Sequence, residues 1–179
     1  GGESITGFDT RSDILDGRGG YDYLYGYGGN DTLKGGAGTD YLYGGAGDDT
    51  YLFGAGDDQG YIYEDLNGGT DTILATFAST GVRSWTDGGY FYLASAADPS
   101  DILAISSNAF YTGSDVGQKV ERIAFSDGVV WDLASGLTLN DSDDGHSLYG
   151  SAQNDILDGR GGYDYLYGYG GNDTLKGGA

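Results

Sequence analysis

Asp13, Asp22, Asp31, Asp40, Asp49 and Asp58 stand nine residues apart, and Asp155, Asp164 and Asp173 keep the same interval near the other end. Carboxylates held at a fixed period point to a bound cation. With one His and no Cys, the chain is poor in nitrogen and thiolate donors and rich in oxygen. Hard oxygen ligands suit Ca²⁺ better than zinc or copper, and Mg²⁺ less well because it usually keeps several waters. Catalysis has little to build on. His146 lies in the polar stretch DSDDGHS and reads as an exposed loop residue without a partner. Asp48 and Asp49 could imitate an acid–base pair, but in this context they read as turn and cation residues. Asp141, Asp143 and Asp144 alternate loosely like an EF-hand loop whose closing Glu is missing.

Something must hold these carboxylates in a column. Leu15, Leu24, Leu33 and Leu42 each follow an Asp by two, Tyr51 holds that place after Asp49, and Gly20, Gly29, Gly38, Gly47 and Gly56 each precede an Asp by two. A short repeat kept this strictly predicts a solenoid. Six Gly-rich residues form a turn and three form a strand whose middle side chain points inward. Two units complete a coil, which stacks Leu24 and Leu42 on one sheet and Leu15, Leu33 and Tyr51 on the other. Asp residues one coil apart then stand at the strand spacing, ~4.8 Å. Two like charges there repel by about 1 kcal/mol in water and by several at an effective dielectric near 20. A core one Leu thick cannot offset that repulsion together with the entropy of fixing so many glycines, so a cation between coils is expected.

Composition narrows the partners. The net charge is −20, from 28 acidic against 8 basic residues. Such a surface repels phosphate backbones and anionic lipid. No apolar run approaches a membrane span and no basic-then-apolar leader is present. The absence of Cys excludes a disulfide framework, and the absence of Met reads as a piece of a longer chain. The 25 residues DILDGRGGYDYLYGYGGNDTLKGGA fill positions 13–37 and return unchanged at 155–179, as expected of a tandem array.

The units GRGGYDYLY, GYGGNDTLK, GGAGTDYLY and GGAGDDTYL resemble the calcium-binding nonapeptide G-G-x-G-x-D-x-U-x of RTX (repeats-in-toxin) proteins. The first two lack the second Gly. The resemblance covers about 13–58 and 150–179 and implies an all-β fold, a parallel β-roll with several Ca²⁺ ions between turns one coil apart. Carried onto this chain, one site takes the carbonyls of Arg18, Gly20, Gly35 and Ala37 with Asp22 and Asp40. Its neighbour takes Tyr27, Gly29, Gly44 and Ala46 with Asp31 and Asp49. Gly26, Gly28, Gly36 and Gly38 complete those turns, further sites involve Asp13 and an Asp40–Asp58 pair, and Gly168, Gly170, Asp155 and Asp173 supply one at the second end.

Residues 61–149 lose the period and predict strands at 72–77, 90–94, 101–105, 120–125 and 129–133. Asn67-Gly68-Gly69, Asp87-Gly88-Gly89 and Asp127-Gly128 mark turns, the last a hairpin with Phe125 and Trp131 as core anchors. YLFGAGDDQ at 51–59 and VERIAFSDGVVWDL at 120–133 resemble the β-rich domain that accompanies RTX rolls. The expected organisation is a roll over 1–60, a β-rich spacer or cap over 61–149, and a second roll starting over 150–179. Tyr23, Tyr25, Tyr41 and Tyr43 should form an outward aromatic ladder, either stiffening the sheet or offering a face to glycan or a surface. The expected protein is a non-enzymatic calcium-binding module of a secreted, cell-surface RTX protein that touches neighbouring copies of its own unit. An accessory module serving an enzyme elsewhere in the chain is the alternative.

Overall fold

The computed structural model describes residues 1–64, 68–87, 89–106, 120–141 and 145–179. Asn67 and Gly88 of the expected turns, and Asp143 and Asp144 of the loose acidic loop, lie outside the described residues. The described chain is a β-solenoid of about eight turns.

Nine-residue units generate it. The strands β1 (Ser4–Thr6), β2 (Ile14–Asp16), β3 (Gly19–Gly20), β4 (Tyr23–Gly28), β5 (Thr32–Lys34), β6 (Ala37–Ala46), β7 (Thr50–Phe53), β8 (Gln59–Tyr63) and β9 (Asp71–Ala75) wind as one parallel roll. One sheet pairs β1, β4, β6 and β8, and the facing sheet pairs β2, β5, β7 and β9. Leu24 lies opposite Leu42, while Leu15, Leu33 and Tyr51 stack on the other sheet. Leu24, Leu33 and Tyr51 are completely buried. The strands are longer than three-residue units predict, since β3 and β6 pair through the turn itself, at Gly19 with Ala37 and Gly20 with Gly38.

Both sheets run on past residue 60 without a break. They take in β10 (Val82–Thr86), β11 (Tyr90–Ser95), β12 (Ile102–Ser106), β13 (Val120–Phe125) and β14 (Val130–Asp132). β12 adds parallel to β8, and β13 adds parallel to β9. β13 and β14 form the expected hairpin, and its Phe125 and Trp131 rings sit 4.8 Å apart. β10 and β11 join β12 as an antiparallel meander.

The second roll contains β15 (Thr138–Asn140), β16 (Ser147–Tyr149), β17 (Ile156–Asp158), β18 (Tyr165–Tyr167) and β19 (Thr174–Lys176). β15, β17 and β19 pair in parallel, as do β16 and β18. Two buried hydroxyls of β10 close its first coil. Ser84 Oγ donates to the Thr138 carbonyl (2.8 Å) and accepts the Asn140 N–H (3.2 Å). Thr86 Oγ1 donates to the Tyr149 carbonyl (2.9 Å) and accepts the Tyr149 N–H (2.7 Å). β10 also pairs antiparallel with β15 at Ser84 and Asn140, so the longer sheet runs on into the second roll and these side chains supplement that pairing.

Candidate metal centres

Each repeat places its Asp at the mouth of a strand, where the carboxylate bridges two coils. The Asp22 N–H donates to Asp40 Oδ1 (3.0 Å), and the Glu3 N–H donates to Asp22 Oδ1 (2.7 Å). On the other side of the roll, Asp13 N–H reaches Asp31 (2.8 Å), Asp31 N–H reaches Asp49 (2.7 Å) and Asp49 N–H reaches Asp71 (2.8 Å). That column closes on Glu121, whose Oε2 accepts the Asp71 N–H at 2.7 Å. One carboxylate oxygen per Asp is thus spent on the ladder. The second oxygens of Asp22, Asp31, Asp40 and Asp49 are buried without a hydrogen-bond partner. Anionic oxygens are not left this way unless something else completes them.

Those spare oxygens face carbonyls of the following coil. A methyl placed on Gly17 would lie 2.5 Å from the Gly35 carbonyl oxygen and 3.0 Å from Asp22 Oδ2. At Gly26 the same methyl would meet Asp31 Oδ2 and the Gly44 carbonyl, and at Gly35 and Gly44 it would meet Asp40 Oδ2 and Asp49 Oδ2. Only a glycine leaves this space open between a carboxylate and a carbonyl. Buried oxygens without partners, converging in a cradle that a side chain would fill, fit a hard divalent cation. Asp22 with the Gly35 carbonyl, and Asp31 with the Gly44 carbonyl, would hold Ca²⁺, which supplies the positive charge these turns lack.

The other candidate residues divide. The Arg18 carbonyl accepts the Ala37 N–H and the Ala46 carbonyl accepts the Gly29 N–H, both at 2.9 Å, so the turns also bond to each other directly. Arg18 and Tyr27, which stand where the repeat has its second Gly, have φ of 67° and 70°. Gly28 pairs with Ala46, and the Gly20 and Tyr27 carbonyls lie against the bare Cα atoms of Gly38 and Gly45, as the Arg18 carbonyl lies against Gly36. Asp13 is half-buried, and its Oδ2 accepts the Phe8 N–H at 2.7 Å.

The expected Asp40–Asp58 pair does not form. Gly60 lies opposite Asp40, because the coil from Leu42 to Ile62 is two residues longer than the eighteen-residue standard. Asp58 faces Asp101 instead. The Asp101 carboxylate fills the FGAGDD turn, accepting the N–H groups of Gly56 (3.0 Å) and Asp58 (3.0 Å). At the second end, Asp155 N–H donates to Asp173 Oδ1 at 3.0 Å, and Asp173 Oδ2 faces Gly168. The Gly170 N–H donates to the Ser151 carbonyl at 3.3 Å. Asp155 resembles its counterpart Asp13 and differs from Asp22, Asp31, Asp40 and Asp49, since Ser151 satisfies its Oδ2 through its N–H (2.6 Å).

His146 has partners, contrary to the sequence reading. Its Nδ1 lies 2.9 Å from Asp141 Oδ2, and its ring centre is 6.3 Å from that of Trp85. It takes the place of an Asp in the ladder, donating its N–H to Asp164 Oδ1 at 3.0 Å.

Besides Asp101, three acidic residues escaped the sequence reading. Asp71 is the Asp of a longer coil, twenty-two residues after Asp49. Its signal was present in GGTDTIL, where Ile73 follows by two. Glu64 and Glu121 carry no periodic signal. Burial dominates the electrostatics of this region. It raises the Asp31 carboxyl, brings Asp40 and Asp49 to about 6 and Asp71 to about 7, and takes Glu64 to about 9. Neighbouring carboxylates add to the rise. Tyr51 is also raised, by burial and then by Glu64.

A two-sheet coil whose turns converge carboxylate and carbonyl oxygens is a cation-binding β-roll. Comparison with known families narrows the class. Residues 9–42, 25–59 and 149–179 match the RTX calcium-binding nonapeptide repeat, and residues 97–135 match the haemolysin-type calcium binding protein related domain. No curated protein matches the chain. The chain belongs to the RTX repeat proteins, a generally secreted group, and is a calcium-binding repetitive module of that kind.

Proposed function

We propose that this module is a structural, non-enzymatic element that stays unfolded where calcium is scarce and winds into its roll on export into calcium-rich surroundings, where it extends, stiffens or attaches a cell-surface protein. The observation that carries this reading is the set of buried, unpartnered oxygens on Asp22, Asp31, Asp40 and Asp49. Without a counter-ion each column opposes folding by repulsion and desolvation. With calcium the binding free energy becomes folding free energy. Extracellular sites typically bind with Kd about 10⁻⁴–10⁻³ M, which suits a switch between cytosol and medium. Calcium titration followed by circular dichroism, reversed with EDTA, tests the mechanism. A fully β-structured chain in EDTA at neutral pH would overturn it.

The tyrosine face supports a stiffening role over a glycan platform. Tyr23, Tyr41 and Tyr61 stack at 5.0 and 5.1 Å, and Tyr25, Tyr43 and Tyr63 at 4.8 and 5.1 Å, all within 17° of parallel. Ring faces used on one another are not free to lie on a sugar. What the ladder presents outward is ring edges and hydroxyls.

A further inference from the structure

The long coil of the first roll builds a centre unlike the repeat turns beside it. Tyr51 occupies a core position and is wholly buried, yet its hydroxyl reaches the turn. There it accepts the Gly44 N–H at 2.9 Å and donates to Glu64 Oε1. Glu64 directly follows β8, and Asp71 opens β9. One carboxylate oxygen each from Asp49, Glu64 and Asp71 lies within 4.8 Å of the other two. A methyl placed on Gly68 would stand 3.1 Å from Asp71 Oδ2, 3.3 Å from Glu64 Oε2 and 3.3 Å from the Gly45 carbonyl oxygen. Three segments of chain therefore aim oxygens at one gap beside a bare Cα.

Two further facts point to a ligand there. Asp49 is 1% exposed, and its Oδ2 has no hydrogen-bond partner. Glu64 Oε2 is equally buried and unpartnered, although its sister oxygen is fixed by Tyr51. No Lys, Arg or His enters this cluster by any ion pair among the described residues. We infer that Asp49, Glu64 and Asp71, with the Gly45 carbonyl, form a further, three-carboxylate calcium site that shares Asp49 with the repeat column, and that it is the tightest and first filled in the molecule. The repeat turns offer two carboxylates per ion, while this centre offers three, and calcium affinity is tuned by ligand charge and rigidity. Tyr51 is its positioning residue, locking Glu64 in place from the core.

The inference rests on the calcium-dependent reading above, and calorimetric titration of the whole chain with CaCl₂ separates the two. Wild type should show one phase tighter than the rest. Glu64→Gln keeps the shape and removes one charge, so it should lose that phase or weaken it by at least about tenfold while the weaker phases persist. Tyr51→Phe keeps the core filled and frees Glu64, and should weaken the same phase by about tenfold. Asp22→Asn is the control in the repeat column and should leave the tight phase intact. If Glu64→Gln and Tyr51→Phe titrate as wild type does while Asp22→Asn loses weak-site binding, the three-carboxylate site is refuted and the repeat sites stand. If no variant and no wild-type chain binds calcium, the functional reading falls first.

Discussion

Residues 13–37 and 155–179 are identical, yet Leu33 in the first is completely buried while its counterpart Leu175 is 47% exposed. Much of the local geometry is the same. Arg18 and Arg160 share a left-handed φ, 67° and 58°, as do Tyr27 and Tyr169 at 70° and 64°. The Asp13 N–H reaches Asp31, and the Asp155 N–H reaches Asp173. What differs is the neighbourhood. β5 lies between β2 and β7, whereas β19 pairs with β17 alone. Asp22 and Asp164 each accept an N–H from the preceding coil and keep one buried oxygen unpartnered, but Asp22 also hands its own N–H on to Asp40. Sequence sets the conformation of a coil, and stacking sets what that coil contributes to stability.

The strongest way to break this comparison is to remove calcium. Hydrogen exchange in calcium should protect amides of 13–37 far more than those of 155–179, and chelation at neutral pH should abolish the difference by opening the first roll. Equal protection of both copies in calcium would contradict the account. Next comes the core. Leu33→Ala should cost about 3 kcal/mol in denaturant unfolding, whereas Leu175→Ala should cost under about 1 kcal/mol, because the second side chain is already half in water. A smaller contrast is expected from acid. Asp40, Asp49, Asp71 and Glu64 titrate higher in the fold than in an unfolded chain, so the folded form takes up protons. In chelator the first roll should be most stable near pH 4, about the unfolded carboxyl value. It should weaken as pH rises through about 6 and 7 for the aspartates and about 9 for Glu64. Circular dichroism against pH in EDTA reads this directly, and stability that rises with pH would refute it. The smallest effect concerns the left-handed residues. Arg18→Gly and Arg160→Gly should each stabilise by less than about 1 kcal/mol, since relief of the strain is partly offset by the freedom glycine has when unfolded. Their effects should match each other, because that strain is local to the coil.

The coil, its inward Leu stack and the Asp columns were legible because each unit repeats the same local instruction. The sequence misled where a coil changed length. Two extra residues put Gly60 and not Asp58 opposite Asp40, and four extra put Asp71 under Asp49. Periodicity carries no information across an insertion, so only pairing could reveal those registers. Glu64 and Asp101 were invisible for a related reason, since each reaches its turn from a separate segment. The strands at 90–95, 102–106 and 120–125 were readable from their alternation. That β12 and β13 would prolong the two sheets of the roll was not, since parallel addition depends on an edge that another part of the chain supplies.

The hydroxyls of Ser84 and Thr86 give the second roll a direction. A bare sheet edge recruits whatever strand comes by, but here β10 already holds the place, by its antiparallel pairing with β15 and by its two hydroxyls. New coils can be laid down on the far side alone. The roll is then a zipper with a sewn end, anchored at β15 and open at β19, which pairs with β17 alone. A fault near the anchored end would disorder every later coil, and a fault in the last coil would harm only itself.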